Sequence, residues 1–112
     1  MGFSFEVGGK SVGLVSITGR LDAQVASDLK PWLQQVLKEG WTTIVVDLGG
    51  VPFIDSSGLG ALIAGLKSAR VSGGDLRIAR PVEQVRYMLQ VTTLDRVLKP
   101  YPTVEDALAG NA

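Results

Sequence analysis

Between Val45 and Arg70 the hydrophobic period changes once, and that change limits what the chain can fold into. The stretch reads VVDLGGVPFIDSSGLGALIAGLKSAR. It opens on an apolar run of strand character that begins at Ile44, turns through Gly49 and Gly50, and touches a second apolar patch at Val51–Ile54. After Asp55, Ser56, Ser57 and Gly58, apolar residues recur as Leu59, Leu62, Ile63 and Leu66, one face of a helix. A strand feeding a helix through a short polar corner is the start of a parallel α/β unit.

The rest of the chain supplies the frame. Phe3–Val7 alternates apolar and polar residues as a half-buried strand does, and Gly8-Gly9 fits a two-residue hairpin loop. Val12–Thr18 returns as a more continuously apolar, more central strand. Gly19-Arg20-Leu21-Asp22 closes it, with Asp22 placed to cap a helix from Ala23 to about Glu39 whose stripe is Leu29, Trp32, Leu33, Val36 and Leu37. Pro31 either bends that helix or splits off its first turn. Gly40 suits the residue after its end, and Trp41–Leu48 reads as a strand covered on both faces.

The helix after Gly58 is expected to reach about Ser72, stopped by Gly73-Gly74. Leu76 and Ile78 mark a fourth strand ending at Ala79-Arg80. Pro81 fits the first turn of a helix with the stripe Val82, Val85, Met88 and Leu89. Val97 and Leu98 suggest a short last strand, and Thr103 caps a final helix with Glu105 and Asp106 in its first turn. The expectation is one α/β domain over residues 1–112, ordered β-β-α-β-α-β-α-β-α, its mixed, mostly parallel sheet carrying one antiparallel hairpin edge.

In such sheets function gathers beyond the carboxyl ends of the strands. Three loops should meet there: Gly19–Asp22, Val51–Gly58 and Arg80-Pro81. What they can do is narrowed by composition. There is no histidine, so a Ser-His-Asp nucleophile has no base, and there is no cysteine for thiol or thiolate-metal chemistry. Eleven basic residues balance eleven acidic ones, which argues against broad attraction to nucleic acid or anionic membrane. No apolar run reaches membrane-spanning length and no signal-peptide pattern opens the chain, so a cytoplasmic protein is expected.

Taken alone, Asp-Ser-Ser-Gly ahead of an apolar helix is an N-cap, with Asp55 capping and both serines in the first turn. Two features go further. The serines follow an apolar loop, Val51-Pro52-Phe53-Ile54, and the helix carries a small-residue row at Gly60, Ala61, Ala64, Gly65 and Ser68. That row fits a close-approaching partner and tight packing on the sheet equally well. Gly58-x-Gly60 is out of step with a dinucleotide fingerprint, whose third position is Ile63 here. A magnesium or acid–base pairing of Asp55 with Asp47 or Asp22 is less favoured than a cap and a loop carboxylate.

Residues Ile44–Lys67 strongly resemble the phosphorylatable signature of STAS domains, in particular the bacterial anti-sigma factor antagonists, and Gly19-Arg20-Leu21-Asp22 resembles their second marker. The resemblance implies a partner-switching module with no enzymatic activity and no cofactor. It implies phosphorylation of Ser56 by a partner that is both anti-sigma factor and ATP-dependent serine kinase, and dephosphorylation by a PP2C-type phosphatase. It places Asp22, Phe53, Asp55, Ser56, Ser57, Gly58 and Leu59 in the partner surface and leaves Arg20 without a role. The alternative it leaves open is a STAS interaction subunit of a transport or other signalling complex, without a phosphoswitch.

Overall fold

A computed structural model describes residues 2–9 and 12–110. The strands are β1 (Gly2–Gly9), β2 (Val12–Thr18), β3 (Thr43–Gly50), β4 (Asp75–Ala79) and β5 (Pro100–Tyr101). The helices are α1 (Ala23–Lys38), α2 (Ser56–Val71), α3 (Glu83–Val91) and α4 (Val104–Ala109), with a 3-10 turn at Leu94–Arg96. Spatial order follows chain order: β1 lies antiparallel to β2, and β2 through β5 are parallel. The expected class and element order hold.

The sheet separates two cores of unequal size. On one face Val15, Ile17, Ile44, Val46, Leu48, Leu76 and Ile78 pack under α1, α2 and α3. On the other, Val45, Ala79 and Tyr101 meet only Ala107 of α4 among buried residues. The run Ile44-Val45-Val46 is buried throughout because β3 lies between these layers. β2 instead alternates, with Val15 and Ile17 inside and Leu14 and Ser16 half-buried, since little covers its second face.

Several boundaries differ from the sequence reading. Gly8 and Gly9 belong to β1, and Gly9 pairs with Val12, so any hairpin connection falls on residues 10 and 11, outside the described residues. Gly49 and Gly50 extend β3, Gly50 opposite Thr18, instead of forming the turn. α1 runs unbroken across Pro31, which sits on the exposed face; the carbonyl it leaves unpaired belongs to exposed Ser27. α2 begins at Ser56 with Asp55 as its cap, as the capping reading expects, three residues ahead of the first residue of its apolar stripe, Leu59. Pro81 is buried just ahead of α3, and extended Val82 is the residue before its first turn. The last strand falls at Pro100–Tyr101; Val97 is 42% exposed and outside any strand, while Leu98 is buried. Gly40 and Gly73, at φ +100° and +85°, stop α1 and α2 as expected.

Candidate functional site

The expected carboxyl-edge rim is assembled by backbone hydrogen bonds. Beyond β2 and β3 the chain continues as two parallel extended segments, Arg20-Leu21-Asp22 and Phe53-Ile54-Asp55, bridged at Leu21 and Ile54. Gly19 N–H donates to Gly50 C=O (2.9 Å), Leu21 N–H to Phe53 C=O (2.9 Å), and Asp55 N–H to Leu21 C=O (3.3 Å). Leu21 and Ile54 are fully buried. In an extended segment their neighbours point the other way, toward solvent.

Both segments end alike. The Asp22 carboxylate accepts from Val25 N–H (3.3 Å) and starts α1; the Asp55 carboxylate accepts from Gly58 N–H (3.0 Å) and starts α2. Two helix N-termini therefore stand side by side on the rim, each with its positive dipole end outward. Ser56 and Ser57, the first two residues of α2, are both exposed. Behind them Gly58 is buried, and a Cβ there would run into the Leu21 carbonyl oxygen and lie 2.8 Å from Ile54 Cγ1. Only glycine lets the first turn of α2 sit this close to the β2 extension.

The third loop arrives through side chains. Gln84 of α3 accepts from Ile54 N–H (2.9 Å) through Oε1 and donates to Ile54 C=O (3.1 Å) through Nε2, holding the apolar loop at both ends of one residue. Arg80 adopts left-handed backbone at φ +54° and reaches back to Asp47 with two hydrogen bonds, Nε to Oδ1 at 2.9 Å and Nη2 to Oδ2 at 2.8 Å. Burial would raise the Asp47 carboxyl; hydrogen bonds from Arg80 and Gly49 N–H, with the Arg80 charge, outweigh it and hold Asp47 below its ordinary value. Asp47 is thereby engaged in an ion pair, and Asp22 and Asp55 in caps.

Of the seven residues assigned to the partner surface, Ser56 and Ser57 are exposed and Asp22, Phe53 and Asp55 half-exposed on one rim. Gly58 and Leu59 are not: both are buried, Leu59 at 2% exposure with its side chain in the main core. They shape the rim from beneath, because the inward stripe of α2 starts at its fourth residue. The small-residue row divides. Ala61 and Gly65 are buried, a Cβ at Gly65 would press on Leu33 and Leu76, and Ser68 Oγ accepts from Gln34 Nε2 (2.6 Å), so these three serve helix packing. Gly60 alone of the row is exposed.

Two features of the rim had no sequence signal. One is the Gln84 clamp. The other is the Arg20 guanidinium, which lies over the Phe53 ring, 4.1 Å from its centroid. A surface cavity of about 330 Å³ lies elsewhere, between the carboxyl-terminal ends of α1 and α2 beside Lys38, Lys67 and Val71. Among the described residues no group of three or more carboxylates is placed to hold a metal ion, and no helix is long and apolar enough to cross a membrane.

This geometry can be set beside known proteins. A family profile described as the STAS domain matches residues 7–107. A Thermotoga maritima protein provisionally named an anti-sigma factor antagonist is 36% identical over 89 residues, 79% of each chain. The anti-sigma-F factor antagonist RsfB of Mycobacterium tuberculosis is 30% identical over 99 residues, 88% of this chain and 80% of RsfB. The crystal structure of the Thermotoga maritima protein TM1081 superposes with a TM-score of 0.89 at 31% identity, covering 96% of this chain and 92% of that one.

Proposed function

The chain belongs to the STAS domain family of anti-sigma factor antagonists, and from that premise we propose that it is a partner-switching module whose switch is the Ser56 hydroxyl. Unmodified, the rim of Asp22, Phe53, Asp55, Ser56 and Ser57 docks on an anti-sigma factor that is also a serine kinase, and so frees the sigma factor. The kinase transfers the γ-phosphoryl group of ATP to Ser56 Oγ; the bond to the leaving diphosphate breaks and the hydroxyl proton passes to the kinase's base. The phosphorylated chain is released, and a PP2C-type phosphatase hydrolyses the ester to restore it. The module itself does no catalysis, contacts no nucleic acid and works in the cytoplasm.

One observation carries this reading. Ser56 is exposed at the first position of α2 while the neighbouring Asp55 carboxylate is turned into the cap, so the hydroxyl is the group offered to an enzyme docked on the rim. A phosphate there adds about −1.5 to −2 charge, which the helix N-terminus accommodates and a surface fitted to a hydroxyl does not. The name of the RsfB relative, an antagonist of an anti-sigma factor, supports the partner class.

The test is co-purification from the native host with and without ATP, followed by intact mass and site mapping. A kinase-fold partner that is lost as one phosphate accumulates on Ser56 is the expected result. A stable complex indifferent to phosphate, as in a non-switching transport or signalling subunit, would overturn the proposal, and phosphate confined to Ser57 would move the site.

A further inference from the structure

The rim holds an arginine that the switch described above does not use. The Asp22 and Asp55 carboxylates each spend an oxygen on a cap, and the Arg80 charge is closed against Asp47 beyond Gly49. Arg20 is exposed and makes no ion pair among the described residues; its guanidinium is parked on the Phe53 ring. An arginine stacked on an aromatic face keeps its in-plane N–H donors available, and a dianionic phosphate binds that planar fork better than a ring does.

The placement is close. Leu21, the next residue, donates to Phe53 C=O, accepts from Asp55 N–H, and has its carbonyl against the Gly58 backbone in the first turn of α2, the turn that carries Ser56. Because Leu21 and Ile54 both point inward, Arg20 and Phe53 leave the rim on the same outer side.

We infer that Arg20 is the phosphate-holding residue of the switched state: it leaves Phe53 and pairs with the phosphate on Ser56. This rests on Ser56 being the modified residue. One modification then changes two features of the docking surface, adding charge beside the α2 N-terminus and uncovering the Phe53 ring. Of the charged groups on this rim, Arg20 favours the dianion of that phosphate, and the carboxylates of Asp22 and Asp55 oppose it.

The experiment uses the full chain with phosphoserine encoded at position 56, so no partner is needed, and follows the phosphorus NMR signal through pH. Free phosphoserine loses its second proton near pH 6. The signal in the otherwise native chain should titrate about 0.5 unit or more below that of Arg20→Gln, with Arg20→Lys, which keeps the charge and loses the fork, between them. Circular dichroism melts confirm that each variant is folded. Coincident titrations in all three chains overturn the inference. The reading of the switch is judged separately, by binding of the phosphorylated chain to the kinase. Release without an Arg20-dependent titration leaves the switch standing and removes Arg20 from it; undiminished binding removes the switch whatever the titration shows.

Discussion

Ser56, at the start of α2, and Asp47, within β3, invite opposite substitutions. At Ser56 the first position of a helix welcomes negative charge, by about 0.3–1 kcal/mol at an exposed site. Ser56→Asp should therefore melt within a degree or two of the parent while its affinity for the kinase partner falls about a hundredfold or more, a loss of about 3 kcal/mol. Calorimetric titration beside a thermal melt checks both halves; a variant that unfolds would show that the switch is not local. At Asp47 the carboxylate, 13% exposed, is held below its ordinary value in the folded chain. Its stabilisation is complete above the unfolded-chain value of about 3.9 and disappears as pH falls through the lower folded value. Asp47→Asn should therefore be less stable than the parent near neutral pH, and the gap should close as urea melts are repeated below pH 4. A gap that stays constant would mean that Asp47 acts through shape alone. The ion pair also explains Arg80: left-handed backbone is unfavourable for a side-chain-bearing residue, and the fork closed on Asp47 offsets it.

At the scale of elements, the joint between the β2 extension and α2 depends on one missing methyl group. Helix propensity alone favours Gly58→Ala by up to about 1 kcal/mol. The Leu21 carbonyl and the Ile54 side chain occupy the space that methyl would need, and the carbonyl is backbone, fixed by its bond from Asp55 N–H. Overpacking of this kind costs about 1–3 kcal/mol, so the substitution should destabilise despite the better helix former, which denaturant titration will register; stabilisation would mean the two segments separate easily. What the sequence disclosed follows the same division. Periodicity located the element types and their order, and short-range cap chemistry located Asp22, Asp55 and Thr103, because those signals are local. The inward turn of Leu59 was legible in the same way, as the first residue of the apolar stripe of α2, although the family resemblance put it in the partner surface. Gly49-Gly50 as strand and Pro100–Tyr101 as the last strand were hidden, since pairing with Thr18 or with Ile78 and Ala79 is decided across the sheet. The Arg20–Phe53 stack and the Gln84 clamp were illegible for the same reason: each joins residues about thirty positions apart.

Across the whole molecule, stability is divided unevenly between the two faces of the sheet, and that division bears on how a switch at the rim stays local. The main core ties α1, α2 and α3 to the face that carries the rim, while among the described residues the opposite face is closed only by the six residues of α4. That helix buries Ala107 and half-buries Val104 and Leu108, is capped by Thr103, and is fastened by Arg77 Nη1 donating to Ala107 C=O at 3.0 Å. So little apolar surface cannot hold a segment at the global free energy of unfolding, so α4 should open by itself. Native-state hydrogen exchange should find the α4 amides exchanging through a local opening that denaturant barely affects, while β3 amides exchange only with global unfolding. Arg77→Ala should speed exchange in α4 and leave β3 nearly unchanged. Phosphate on Ser56 should alter neither pattern, because the rim rests on the other core. If α4 proves as protected as β3, or if its exchange follows the state of Ser56, the two faces form one cooperative unit and the switch reaches further than its rim.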